Sequence, residues 1–213
     1  GIVMMGILSK GQRDLSLVVA KRDTAKENKI WKKRLKKSEK DGSKPKRVPA
    51  KWKLTELDYG VFGELVMNLD VSPDGKSVVY PKYRYGKNQS LLFDIWMVDM
   101  KTKKKTLLTS SMRANYPKFS PDGGSILYVA HENSTSQLFL MDIKGENKKQ
   151  LTFNEFDTQI ITPFWSPNGR KIAFAKSGPD GNMDIHMMEL ETKKTQQITR
   201  SSEGDLLPIW HPD

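Results

Sequence analysis

A four-residue turn signal, Ser-Pro-Asp-Gly, comes round in this chain at nearly constant spacing, and few folds accommodate such a period. It stands as Ser72-Pro73-Asp74-Gly75 and Ser120-Pro121-Asp122-Gly123, then as Ser166-Pro167-Asn168-Gly169, with His211-Pro212-Asp213 as an incomplete fourth copy. The intervals are 48, 46 and 45 residues. Other signals keep step with it. A proline stands three residues before the serine position and an aromatic one before it in Pro117-Lys118-Phe119, Pro163-Phe164-Trp165 and Pro208-Ile209-Trp210; the first copy departs, with Leu69 and Val71. After each turn comes an alternating run (Ser77 to Tyr80, Ser125 to Tyr128, Lys171 to Phe174), then a second run ending on Asp99, Asp142 or Glu189. Each repeat closes on Leu108-Thr109, Leu151-Thr152 or Ile198-Thr199, the threonine always ten residues past the acid.

Runs of four to six residues, rich in β-branched and aromatic side chains and bounded by Gly, Pro, Asn and Asp, are strands. About four strands in a period of roughly 40–50 residues make one blade of a β-propeller. The turn residues have separate duties: proline pre-sets φ, Asp bonds its own downstream backbone, and Gly takes the positive φ. Asn168 can do the work of Asp. Trp165 and Trp210, just before their turns, supply the large apolar surface needed between neighbouring blades.

The pattern Pro-x-Trp-Ser-Pro-Asp-Gly-x-x-Ile-Ala-Phe, with Ile-x-x-Met-Asp and Leu-Thr, resembles the TolB-like β-propeller repeat, which is similar to WD repeats in architecture but not in motif. The resemblance spans residues 54–213 and implies an all-β fold. It places blades at about 65–109, 114–152 and 159–199, the start of another at 206–213, and the end of a preceding one at Leu54-Thr55. Members of this family typically have six blades. A propeller closes to protect its edge strands, so three full blades plus partial ones read as a fragment of a longer protein, expected to self-associate in isolation.

The formal net charge is +11, and its location decides what it means. Residues 1–53 hold 17 Lys and Arg against 5 Asp and Glu; residues 54–213 hold 19 against 20. The propeller is near neutral and the excess lies in an N-terminal extension. That extension has apolar clusters at Ile2 to Met5 and Leu15 to Val19, both short of the 18–20 residues of a membrane span. It lacks the basic start and cleavage site of a signal peptide. A polar helix over 21–40 and a solvated linker over 41–49 follow. Trp31-Lys32-Lys33-Arg34-Leu35 resembles a string that, in some large TolB-like proteins, ends a peptidase-like domain upstream of the propeller. A nucleic-acid role is not expected, because aromatic interleaving is limited to Trp31 and Trp52.

Catalytic motifs are absent from this stretch. There is no cysteine, which excludes disulfides, thiolate metal sites and cysteine nucleophiles. His131, His186 and His211 fall at unrelated blade positions and form no metal-binding pair. No Gly-x-Ser-x-Gly elbow, His-Glu-x-x-His helix or phosphate-binding glycine loop occurs. Residues 178–184 (Gly-Pro-Asp-Gly-Asn-Met-Asp) alternate oxygen donors but lack the closing Glu of a calcium loop, so they read as a hairpin. No cofactor or metal is expected.

Propeller geometry gives one positional expectation. Loops joining strands one to two and three to four share one rim, and there they are uniform: the Ser-Pro-Asp-Gly set and the Lys-rich turns at 101–105 and 144–149. The other rim carries the loops between strands two and three. Of these, residues 81–92 run about five longer than their equivalents and carry Tyr83, Arg84 and Tyr85; residues 131–136, with His131 and Asn133, and 177–183 differ again. Variable loops on a rigid scaffold are where binding concentrates, so this rim is the candidate recognition surface. The leading reading is a non-catalytic binding module for a protein or peptide, and the family resemblance implies the periplasm and an envelope complex. The rival is the accessory propeller of a peptidase, either prolyl-oligopeptidase-like or one with an upstream metallopeptidase domain, whose catalytic domain lies elsewhere.

Overall fold

The computed structural model describes residues 2–6, 16–59, 68–85, 90–132, 134–155, 157–178 and 180–211. It divides into two compact units, one ending at Tyr59 and one beginning at Gly60.

The first unit holds β1 (Ile2–Gly6), β2 (Ser16–Arg22), α1 (Thr24–Asp41) and β3 (Trp52–Tyr59), the strands forming an antiparallel sheet in the order β1-β2-β3. The apolar run Leu17 to Ala20 is buried and takes the central place, as a continuous hydrophobic strand should. Leu54 and Thr55, read above as the end of a preceding blade, belong here instead: they pair with Ala20 and Val19. The buried run of β2 needs a hydrogen-bonding neighbour on each side, and β3 is one of them. The predicted polar helix is α1. Asp23 caps it by accepting from the Lys26 N–H (3.0 Å), and Gly42 ends it at φ 68°; only a residue tolerant of the left-handed region ends a helix this way cheaply.

The second unit holds three four-stranded antiparallel sheets among the described residues. They are β4 (Asp70–Val71), β5 (Ser77–Tyr85), β6 (Leu91–Asp99) and β7 (Lys105–Leu107); β8 (Ala114–Phe119), β9 (Ser125–Glu132), β10 (Thr135–Asp142) and β11 (Lys149–Gln150); and β12 (Ile160–Trp165), β13 (Lys171–Ser177), β14 (Met183–Glu189) and β15 (Thr195–Gln197). In each sheet the spatial order follows the chain order. This is the blade pattern expected from the repeat.

The cores lie between blades. Val79, Ile95 and Leu108 of the first blade pack with Ala114, Ile126, Tyr128 and Met141 of the second. Leu127, Val129, Leu138 and Leu151 of the second pack with Ile160, Ile172, Phe174 and Met188 of the third. Alternate residues of β9 therefore serve opposite interfaces, and its buried run shows why: a blade packed on both faces keeps no polar side.

The residue before each turn ties the blades by polar contacts as well. The Trp165 indole N–H donates to the Lys118 carbonyl (3.2 Å), and Trp210 repeats the contact one blade on, to the Phe164 carbonyl (3.3 Å). Phe119 has no indole N–H. At that interface the backbone N–H of Phe119 donates to the Asp70 carboxylate (2.8 Å), and Lys118 Nζ donates to the Leu69 carbonyl (3.2 Å). Burial raises the Asp70 pKa and lowers that of Lys118, each desolvation opposed by the other's charge.

The candidate recognition rim

The antiparallel order puts the Ser-Pro-Asp-Gly turns and the turns between strands three and four on one rim, and the loops between strands two and three on the other. The first set is built as the residue types require. Gly75, Gly123 and Gly169 all sit near φ +70° and donate their N–H to the serine carbonyl at the head of the turn (2.8–2.9 Å). Each serine hydroxyl accepts the N–H five residues on (2.9 Å) and donates to the turn's Asp or Asn oxygen. Successive turns also touch: Pro73 lies against Gly123 and Pro121 against Gly169, where a Cβ would sit 3.5 and 3.6 Å from the ring.

These turns carry a pH signature. Hydrogen bonds from Ser72 and the Lys76 N–H hold the Asp74 carboxyl down at about 2, and bonds from Ser120 and the Gly124 N–H lower Asp122. A depressed folded pKa contributes stability that is present above the unfolded value and lost as pH falls through the folded one. Acidifying from about pH 5 to about pH 2 is therefore expected to weaken the first two turns. It should spare the third, where Asn168 accepts the same bonds without titrating. The double variant Asp74→Asn/Asp122→Asn, followed by thermal unfolding across that range, should lose less stability than the parent. Identical pH profiles would show that the turn carboxylates contribute nothing.

On the other rim the described ends of the segment 81–92 are strand, not loop. Residues 81–85 continue β5 and residues 91–92 begin β6, paired as Tyr83↔Phe93, Arg84↔Leu92 and Tyr85↔Leu91. Alternation then separates the three candidate side chains. Tyr83 stacks on Phe93 with ring centroids 3.7 Å apart. Arg84 forms an ion pair with Asp94, which is fully buried, and donates to Ser110 Oγ (2.6 Å). Tyr85 is 75% exposed, facing Leu91 at 53%. Two of the three brace the hairpin, and one is presented by it. Sequence spacing read a loop here because Pro81, Lys82, Arg84 and the residues beyond resemble loop composition; the cross-strand partners Phe93 and Asp94 become visible only once the register is known.

His131 lies at the end of β9, half-buried, with Nδ1 3.2 Å from Ser136 Oγ, which in turn donates to Gln159 (3.0 Å). Burial and then the nearby Arg113 charge push its pKa down. Asn133 lies outside the described residues. At 177–183 the Asp180 carboxylate accepts from the Asn182 backbone (3.1 Å) and side-chain amide (3.0 Å). His186 stacks on Phe174 at 6.0 Å inside the third blade. The described residues contain no cluster of three His, Asp or Glu arranged to hold a metal, and no described helix is long and apolar enough to cross a membrane.

A second repeated device escaped sequence reasoning. Thr109, Thr152 and Thr199 each accept the backbone N–H of Ile95, Leu138 and Ile185 through the hydroxyl (2.8–2.9 Å). The residue before that N–H is Asp94, Gln137 or Asp184, and its side-chain oxygen takes the N–H two residues beyond the threonine (2.9, 2.9 and 3.1 Å). This clasp aims each blade-to-blade connection across the variable rim. Its signal is the constant 15-residue spacing from Asp94, Gln137 and Asp184 to threonine.

Comparison with known proteins agrees with this architecture. The TolB beta propeller domain pattern matches residues 117–213. An uncharacterized protein of Agrobacterium fabrum is 29% identical over 143 residues, 67% of this chain and 45% of that protein. The Tol-Pal system protein TolB of Ruthia magnifica is 33% identical over 95 residues, 45% of this chain and 22% of the relative. The uncharacterized peptidase YuxL of Bacillus subtilis is 28% identical over 113 residues, 52% of this chain and 17% of the relative. The chain thus spans less than half the length of these relatives. Among solved structures, TolB from Acinetobacter baumannii superposes with a TM-score of 0.57 at 22% identity, over 70% of this chain and 36% of that one. Repeat, blade topology and domain match converge: residues 117–213 match the TolB beta propeller domain, and the described blades form a partial propeller of that fold.

Proposed function

We propose that this propeller is a non-catalytic recognition module that takes a protein or peptide partner on its variable rim, in the periplasm of a bacterial envelope. One observation carries the proposal: the β5–β6 hairpin presents Tyr85 and Leu91 to solvent, while Arg84–Asp94 and Tyr83–Phe93 hold it from below. Exposed aromatic and aliphatic side chains on a braced support are the makings of an interface anchor, because little conformational entropy is left to lose on binding. Envelope placement is supported by likeness to the Tol-Pal system protein TolB. The test is binding of purified Tol-Pal system components, measured by calorimetry, to the protein and to Tyr85→Ser/Leu91→Ser. A drop in affinity of at least tenfold with unchanged unfolding is expected; equal affinity removes the hairpin from the interface.

A second reading, the accessory propeller of a peptidase, is favoured by likeness to YuxL. It is tested by peptide hydrolysis in the longest natural protein that carries these residues. Activity abolished by a serine-directed inhibitor would establish it.

A further inference from the structure

The rim opposite the proposed recognition surface carries a charge pattern that the fold does not require. A Lys-Lys pair occurs in the outer turn of every described blade, as Lys103-Lys104, Lys148-Lys149 and Lys193-Lys194, at intervals of 45 residues. All six are exposed, and none forms an ion pair among the described residues. Across these three turns (99–105, 142–149 and 189–195) nine lysines face five carboxylates. Asp99 and Asp142 are occupied in shaping the turns: Asp99 accepts from the Lys101 and Thr102 N–H groups, and Asp142 from those of Lys144 and Glu146. The opposite rim mixes its charges: Glu132, Glu155, Asp157 and Asp180 are exposed there, and so are Arg113 and Arg200.

Backbone conformation separates charge from turn-making. Lys103 and Lys193 sit at φ 61° and 55°, in the left-handed region that L side chains rarely adopt and that glycine or asparagine enters cheaply. In the second blade the left-handed places of the same turn are held by Gly145 and Asn147. Turn chemistry alone would choose those residue types throughout; lysine at 103 and 193 runs against it. Where a residue breaks a local rule, function is the usual compensation.

We propose that this uniform rim docks on an anionic bilayer surface. The lysine pairs protrude from separate blades at one end of the sheets, a repeated display that suits an extended plane of negative headgroups. A single polyanionic strand would call for a groove. Ile143, 41% exposed beside Lys144, adds a shallow apolar contact. Docked in this way, the variable rim, which repeats no lysine pair, points away from the membrane.

The test is co-sedimentation of the full chain with phosphatidylglycerol–phosphatidylcholine vesicles, with phosphatidylcholine vesicles as the control. Binding to the anionic vesicles alone is expected, weakening with salt. A lysine near such a surface is worth about fivefold in partitioning, so Lys103→Gly/Lys193→Gly should lose about 25-fold. Its melting temperature should be unchanged or higher, and Lys103→Arg/Lys193→Arg should keep binding. Three results overturn the proposal: full vesicle binding by the glycine variant; loss of binding on Lys33→Ser/Lys37→Ser in α1 instead; or tight binding of heparin oligosaccharides with none to vesicles.

Discussion

Replacing Asp94 with alanine is expected to destabilise the propeller unit by about 3–5 kcal/mol, a loss typical of breaking a buried charged network. Asp94 is fully buried and collects four donors: the Arg84 guanidinium, the Thr109 hydroxyl (3.0 Å) and the backbone N–H groups of Ser111 (2.9 Å) and Met112 (3.3 Å). Alanine leaves the Thr109 hydroxyl and the two backbone N–H groups without that acceptor, leaves Arg84 its hydroxyl contact with Ser110, and frees the connection between the first and second blades. Arg84→Ala should cost less, about 1–3 kcal/mol, because Asp94 keeps three donors and the vacated site, 29% exposed, admits water. Urea unfolding of both variants checks the order. A larger loss for Arg84→Ala would mean that the ion pair, and not the clasp, organises this corner. The comparison bears on function too: an alanine at Arg84 tests the scaffold, so only Tyr85 and Leu91 are clean probes of the proposed interface.

Tyr128→Ala is expected to be comparably severe, about 3–5 kcal/mol, through lost burial plus a cavity. Tyr128 has no exposed surface, stacks on Phe139 at 5.5 Å and sits among Val79, Ile95 and Met141, where the first two blades meet. Its hydroxyl reaches only a weak acceptor, Met112 Sδ at 3.9 Å. Tyr128→Phe should therefore cost less than about 1 kcal/mol. Blades interact mainly with their neighbours, so the alanine variant should accelerate amide exchange in β5–β7 more than in β13–β15. Uniform acceleration across all three blades would show that the unit unfolds as one body.

Both effects arise at positions whose importance the sequence shows only in part. Tyr80, Tyr128 and Phe174 stand out in the alternating runs as bulky residues at one place in each repeat. That place is fully buried in the structure because it lies on the second strand, packed on both faces. Asp94 has no bulk to mark it: a carboxylate just before the apolar run Ile95 to Val98 reads as a surface residue until the chain folds the Thr109 hydroxyl and the next connection onto it. The extension was legible as a basic helix and linker, but not as a sheet. Leu54-Thr55 imitates the Leu-Thr ending of a blade, and only strand pairing with β2 reveals otherwise.

By itself, the sequence determined the blades, their period, the chemistry of the Ser-Pro-Asp-Gly turns and the placement of an aromatic between neighbours. These rest on local rules: φ preference, side chain–backbone bonding within five residues, and strand alternation. Tertiary structure alone decided which side chains of the variable rim are support and which are surface. Tyr83, Arg84 and Tyr85 are consecutive, yet the first stacks on Phe93, the second meets Asp94 and the third faces solvent. The reason is register: alternation sets which residues share a face, but the partner strand and the neighbouring connection determine what each face meets.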